Sequence, residues 1–286
     1  MIAQADPANA DQIAYWNGRA GQKWTDRQEI QDGVLAPITA ELFDAAKLRA
    51  GEKVIDIGCG CGDTTLAAAA AVGDGGQALG IDISELMLAR ARERADALGG
   101  KTRFRLADAS AEEFSAEAAD VLMSRFGVMF FAAPAATFAN LRRALKPGGR
   151  LAFVCWREPK LNPWLVTPFH AMKHRVPPQP ERKPEDPGPF AFADGARLLG
   201  ILQSAGFGAI AIEARSMPLD MAVGRGLEIA VRTAMEIGPV SRALDGQPDE
   251  VHALAEADVR AVLAPYLKGD KVELGASVWV VTARSG

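Results

Sequence analysis

Cysteine, histidine and excess positive charge are all scarce in this chain, and each shortage removes a class of function. Three cysteines, at 59, 61 and 155, cannot build a disulfide framework, and a reducing cytosol suits them. Cys59-x-Cys61 resembles half of a metal or redox pair, but no second pair accompanies it, so no metal is expected. The formal charge of −4 comes with no dense Lys/Arg cluster, so nothing tracks a phosphate backbone and nucleic acid is a poor partner. Long apolar runs are missing as well: the longest, Leu66 to Val72, falls far short of a membrane span. The start of the chain carries Asp6 and Asp11 and no basic segment leading into an apolar one, so no signal peptide is expected. A soluble, cytoplasmic protein is the expectation. With 286 residues, 49% of them hydrophobic, the chain can bury one large core, or a core with a cap.

What is present is organised around Val54-Ile55-Asp56-Ile57-Gly58-Cys59-Gly60-Cys61-Gly62-Asp63-Thr64. Val54 to Ile57 reads as a short buried strand, because β-branched apolar residues run together with one acid at its end. Gly58, Gly60 and Gly62 then form a turn in which positive φ is cheap and no side chain blocks close approach to the backbone. Asp63-Thr64-Thr65 opens a helix whose first N–H groups face that turn. Asp82, twenty residues beyond Gly62, ends a second strand (77–83), where a carboxylate can accept both hydroxyls of a ribose. The pattern is G-x-G-x-G, with Asp63 where a dinucleotide fingerprint would carry another glycine, which favours one nucleoside over two. A tight strand-to-helix turn without a ligand is the plainer alternative.

At these residues the chain resembles the class I S-adenosylmethionine-dependent methyltransferases. VIDIGCGCGDTT is similar to their first motif, GIDIS to the second, and LKPGGRLAFVCW to the segment around their fifth strand. The resemblance covers about residues 51–156, and within the superfamily it leans toward the small-molecule group that includes the ubiquinone and menaquinone C-methyltransferases. It implies a Rossmann-like α/β fold, a seven-stranded, mostly parallel sheet with the last strand antiparallel, helices on both faces and helical cap insertions. The implied cofactor is S-adenosylmethionine, with S-adenosylhomocysteine as product. The implied contacts are Trp24, Asp56, Gly58, Cys59, Gly60, Asp82, Ile83, Met87, Asp108, Ala109, Ser124 and Arg125. Among these, Asp108 would face the adenine amino group, with the next backbone N–H reaching the ring.

The rest of the chain divides around that core. Residues 1–50 read as an N-terminal helical segment over the cofactor site: a loose arm to residue 10, a helix holding Tyr15, Trp16 and Trp24, and a second with Val34, Leu35, Ile38, Leu42 and Phe43 at helical spacing and Pro37 in its first turn. Plain helix packing would explain Trp16 and Trp24 equally well. Residues 51–157 form the cofactor-binding core, with strands at 102–107, 119–126 and 150–156 following the first two, and helices between them. Residues 158–193 are a Pro-rich insertion, with nine prolines between 158 and 189, whose middle, 177–189, reads as loop. Residues 194–286 return to helix and strand and close the sheet with strands at 209–217 and 272–284. Between these strands lies a helical cap insert, about 219–268, patterned at 227–237 and 250–267.

Methyl transfer needs positioning above all, and an oxygen or carbon acceptor also needs a proton removed. His170 and His174, four apart in the insertion, are the catalytic candidates; His252 sits in a polar helix. Where related enzymes often place histidines after strand four, this chain has Phe126, Val128, Met129, Phe130 and Phe131. That departure removes a borrowed base and suggests an apolar acceptor pocket walled by Tyr15, Phe130, Trp156 and Trp164, although core packing accounts for Phe130 and Phe131 as readily. The acceptor atom stays open among oxygen, carbon and nitrogen.

An NAD-dependent oxidoreductase also sets an acid on a ribose, but Tyr-x-x-x-Lys is absent: Tyr15 is followed four on by Arg19 and Tyr266 by Asp270. Nucleic-acid amino methylation calls for Asn/Asp-Pro-Pro-aromatic after strand four, and Ser124-Arg125-Phe126-Gly127 stands there instead, with Asn162-Pro163-Trp164 only after strand five. A non-catalytic cofactor-binding protein is the third reading.

Overall fold

The computed structural model describes residues 2, 4–100, 102–178 and 183–286. Among them the strands form one eight-stranded sheet: β1 (Lys53–Ile57), β2 (Gln77–Asp82), β3 (Arg103–Leu106), β4 (Ala119–Arg125), β5 (Leu145–Trp156), β6 (Phe207–Asp220), β7 (Leu267–Lys268) and β8 (Lys271–Ser285). Seven of them lie in the order β3-β2-β1-β4-β5-β8-β6, and the two-residue β7 pairs with β8 beside this path. The first five run parallel, whereas β8 is antiparallel to both β5 and β6. The sheet is the expected one, with β7 as a short addition. Parallel central strands need cover on both faces, which is why β1 and β4 read as continuous apolar runs rather than alternating ones. The strand order reverses between β1 and β4, and the crevice at their carboxyl ends is where such a sheet receives a ligand.

The helices are α1 (Ala10–Asn17), α2 (Arg19–Asp26), α3 (Gln28–Ala46), α4 (Asp63–Val72), α5 (Glu85–Ala97), α6 (Pro134–Ala144), α7 (Pro163–Met172), α8 (Gly195–Ser204), α9 (Leu227–Glu236), α10 (Gly238–Ala243) and α11 (Asp249–Leu263). α4 and α5 back β1 to β3, α3 lies across β4, β5, β8 and β6, and α6 and α8 pack on each other. Ser84 caps α5 through a bond from the Met87 N–H (3.3 Å), and Asp194 caps α8 through those of Ala196 and Arg197.

Four local expectations are corrected. The N-terminal segment holds three helices rather than two, because Gly18 takes an extended conformation (φ −98°, ψ −151°) and Arg27 leaves the helical region (φ −108°, ψ 12°). Pro37 lies inside α3, not in its first turn; Ala36 and Pro37 are exposed, so the carbonyl that loses its donor sits on the solvent side. The arm is not loose: Pro7–Asn9 form a 3₁₀ turn capped by Asp6, and Asn9 is buried. α10, unforeseen in the insert between β6 and β8, opens at Gly238 (φ +69°) and has Pro239 in its first turn. Of the Pro-rich loop, residues 179–182 lie outside the described residues; 184–192 is a series of turns and bends.

Candidate active site

The glycine turn is held open by its own backbone. Gly58, Gly60 and Gly62 have φ of +67°, +55° and +85°, and the Gly58 and Cys59 N–H groups both donate to the Ile81 carbonyl (2.8 and 3.1 Å), tying the turn to the end of β2. A Cβ on Gly58 would stand 2.6 Å from Gly127 Cα, so the loops after β1 and β4 touch backbone to backbone. On Gly60, by contrast, a Cβ would meet only the Met87 methyl. The backbone there is open to a ligand.

Asp82 lies behind that opening. Its Oδ2 accepts the Gly60 N–H and its Oδ1 the Ser84 N–H, both at 2.8 Å. Burial pushes its pKa up, partly offset by these N–H groups. A carboxylate has about four acceptor positions, so Asp82 keeps capacity on the cavity side. A nucleoside fits this donor and acceptor set.

The cavity itself, about 620 Å³, runs along the carboxyl ends of β1, β2 and β4 and out under the N-terminal helices and α7. It is lined by Trp24, Gly58, Cys59, Gly60, Asp82, Ile83, Met87, Asp108, Ala109 and Arg125 at one end, and by Tyr15, Phe130, Trp156 and Trp164 elsewhere on its wall. The structure thus brings together most of the residues singled out in the sequence. Phe126 extends the aromatic wall by stacking on Trp156 at 4.1 Å and 12°, with Trp164 next at 5.1 Å. Its φ of +69° is a left-handed conformation that a bulky residue adopts only when its surroundings hold it there. Trp16 meets Phe130 edge-on at 5.3 Å and Trp24 at 6.0 Å. Burial raises both cavity thiols, Cys61 to about 12 and Cys59 well above its usual value, so neither supplies a thiolate near neutral pH.

Asp56 and Ser124, expected beside the cofactor, do not line the cavity. Alternation along β1 points Ile57 at the cavity and Asp56 away from it. There Asp56 Oδ2 accepts from Thr64 Oγ1 (2.6 Å) and Thr65 Oγ1 (2.7 Å), clamping α4 to the strand. Burial raises its pKa to about 6, against the lowering effect of the two threonines. Ser124 Oγ donates to the Ile57 carbonyl (2.7 Å) and accepts the Gly127 N–H (3.1 Å), joining the ends of β1 and β4.

His170 and His174 are also absent from the cavity wall. Trp164, Leu165 and Phe169 take the inner face of α7, which leaves His170 exposed; His174 lies beyond the helix, 3.5 Å from Asp258 and largely exposed. His252 bonds the Leu244 carbonyl at 3.0 Å.

Among the polar residues of the wall that sequence reasoning missed are Asn9, Gln31 and Asp32. Asp108 is bonded by the arm, with Asn9 Nδ2 at 2.9 and 3.0 Å from its two oxygens and the Asp6 N–H at 3.0 Å, and it also takes the Ser110 N–H at 2.9 Å. Asp32 joins Arg125 (3.4 Å) and Arg94 (3.0 Å), and Arg125 also holds Asp63 (2.7 Å) and Thr39 (2.7 Å). Burial and the Asp63 charge raise the Asp32 pKa against the pull of the arginines. A signal was available for α3, since Gln28, Gln31 and Asp32 interrupt an otherwise apolar inner stripe. Asn9 carried none.

A sheet of this order, with a glycine turn and an acid at the end of β2, defines a nucleotide-type α/β site. Residues 54–149 match the methyltransferase domain family. The chain is 32% identical over 135 residues to the nocamycin O-methyltransferase of Saccharothrix syringae, which is 46% of this chain and 48% of that enzyme. It is 29% identical over 176 residues to the ubiquinone/menaquinone biosynthesis C-methyltransferase UbiE of Klebsiella pneumoniae, 58% of this chain and 70% of that one. The chain thus spans about half the length of the nocamycin enzyme. Among solved structures, phosphoethanolamine N-methyltransferase 2 of Haemonchus contortus in complex with S-adenosyl-L-methionine shares the fold, with a TM-score of 0.52 at 20% identity over 86% of this chain and 52% of that one. Residues 54–149 are a methyltransferase domain.

Proposed function

We propose that the protein transfers a methyl group from S-adenosylmethionine to a small, hydrophobic or aromatic acceptor. The observation that carries this reading is the continuous cavity that joins the glycine turn and Asp82 to an aromatic wall. Asp82 would take the ribose hydroxyls, the open backbone at Gly60 would lie along the methionine part, and Asp32, Asp63 and Arg125 offer both signs of charge to its ammonium and carboxylate. Trp24, Ile83, Met87 and Ala109 would border the cofactor, and Asp108 the adenine. Asp108 already accepts from the Asn9 amide and from the Asp6 and Ser110 N–H groups, so an adenine amino group would share it with the arm; Asn9 then shapes that end of the site.

When bound, S-adenosylmethionine supplies an electrophilic methyl group, so the protein needs no nucleophile of its own. The work of the chain is positioning. Phe126, Trp156 and Trp164 would hold a flat acceptor against the methyl donor, and α7 with the N-terminal helices would exclude water. Near-attack positioning of this kind can contribute about 7–11 kcal/mol. The relatives support a small-molecule acceptor, one being an O- and the other a C-methyltransferase. The test is methyl transfer from labelled S-adenosylmethionine to a panel of hydrophobic phenols, quinols and amines, read by mass spectrometry. Label in at least one acceptor, dependent on Asp82, is expected; cofactor binding without transfer to any acceptor class would leave a binding protein as the better description.

A further inference from the structure

Gln31 is 2% exposed and lines the cavity, yet neither its amide nitrogen nor its carbonyl oxygen has a hydrogen-bond partner among the described residues. Its neighbours on the same helix face have partners within the protein: Gln28 donates to Asp32 and accepts from Arg90, and Asp32 pairs with Arg94 and Arg125. One turn further, at Leu35, the same face is apolar. Gln31 therefore occupies a position where an aliphatic side chain would stabilise α3, and a buried amide left unpaired opposes folding. Such a group in a native protein calls for a ligand that satisfies it.

We infer that Gln31 reads the polar end of the methyl acceptor, a flat aromatic carrying a hydroxyl. The inference rests on the methyltransferase reading. Under that reading each polar part of the cofactor already has a place, the ribose at Asp82, the methionine charges at Asp32, Asp63 and Arg125, and the adenine at Asp108, which leaves Gln31 to the acceptor. An amide both donates and accepts, so a hydroxyl answers both of its atoms at once, while the rings lie against Phe126 and Trp156. Trp164 Nε1 also has no hydrogen-bond partner among the described residues, but Trp164 borders a second, much smaller cavity as well. Gln31 alone carries the assignment.

The test compares 1-naphthol with naphthalene as probes of the protein loaded with S-adenosylhomocysteine, by titration of the wild type and of Gln31→Met, which keeps the length of the side chain and removes both polar atoms. The wild type should bind 1-naphthol roughly ten-fold more tightly than naphthalene, as one good hydrogen bond gives. In Gln31→Met that preference should vanish, with S-adenosylhomocysteine affinity unchanged and Tm equal or higher. Equal binding of the two probes by the wild type overturns the inference. So does a roughly ten-fold loss of S-adenosylhomocysteine affinity in the variant, which would assign Gln31 to the cofactor. A lower Tm with the preference intact makes Gln31 structural. Should Gln31→Met fail to fold, Gln31→Leu and the wild-type comparison decide alone. A wild type that does not bind S-adenosylhomocysteine overturns the methyltransferase reading itself, whereas binding with probe parity overturns only this inference.

Discussion

Asp56 and Asp82 are both buried carboxylates at strand ends, and the side of the strand each occupies separates their work. Asp82 borders the cavity with acceptor capacity to spare, so Asp82→Ala should weaken S-adenosylmethionine binding by about 1–3 kcal/mol; calorimetric affinity near the wild-type value would remove it from the ribose. Its raised pKa adds a pH dependence. The ionised form accepts the hydroxyls, so affinity should fall as pH drops through that pKa, and Asp82→Asn should lose the dependence. Asp56 instead shapes stability. With its pKa near 6 in the folded protein against 3.8 for an ordinary aspartate, the folded state binds the extra proton between those values, so this group makes stability fall as pH rises through that window. The effect is on the order of 3 kcal/mol for a fully buried acid. Asp56→Asn keeps an acceptor for Thr64 and Thr65, and denaturation midpoints from about pH 4 to 7 should be flatter in this variant than in the wild type; an unchanged slope would show that another group carries it. Both acids were legible, Asp56 because it precedes the glycine turn and Asp82 because it ends the next strand. Their opposite roles were not, since strand alternation at a two-residue corner depends on where the neighbouring strands end.

At the scale of elements, the close approach of the β1 and β4 loops is what lets the two central strands share one crevice. A Cβ on Gly127 would lie 2.5 Å from the Ile57 carbonyl oxygen and 2.7 Å from Gly58 Cα, all backbone. Gly127→Ala should therefore destabilise the fold by about 1–3 kcal/mol, as overpacking does, and weaken cofactor binding with it; a Tm matching that of the wild type would mean that the loops can part freely. The arm makes a second link. Asn9→Ala removes three of the bonds that tie residues 6–9 to Asp108 and Ser110. Thermal stability should drop by about 1–2 kcal/mol for the buried amide, and hydrogen exchange at Ala10 to Tyr15 should speed up. Strands and most helices were legible from periodicity and caps, because their apolar stripes face a sheet whose pattern the sequence states locally. The breaks at Gly18 and Arg27 and the 3₁₀ turn at Pro7–Asn9 were not, because they answer to distant partners: Ser84 on the Trp16 carbonyl, Glu236 on Arg27, and Asp108 on Asn9.

For the whole molecule, the central strands and most of the glycine-turn end of the cavity follow from residues 54–125, with Asn9, Trp24 and Asp32 added from the N-terminal segment. The aromatic part of the wall is assembled from α1, the loop after β4, β5, α7 and the loop around Phe190, elements scattered from Tyr15 to Phe190 in the chain. Only their meeting in space shows that His170 and His174 face away while Gln31 faces in. No helix among the described residues is long and apolar enough to cross a membrane. The central claim is that this cavity takes S-adenosylmethionine, and calorimetric titration with S-adenosylmethionine, S-adenosylhomocysteine and NAD(H), each alone, tests it most directly. Micromolar binding of the first two, with no heat from NAD(H) and a marked loss in Asp82→Ala, is the expected result; binding of NAD(H) alone would contradict the account and make the acid on β2 part of an oxidoreductase.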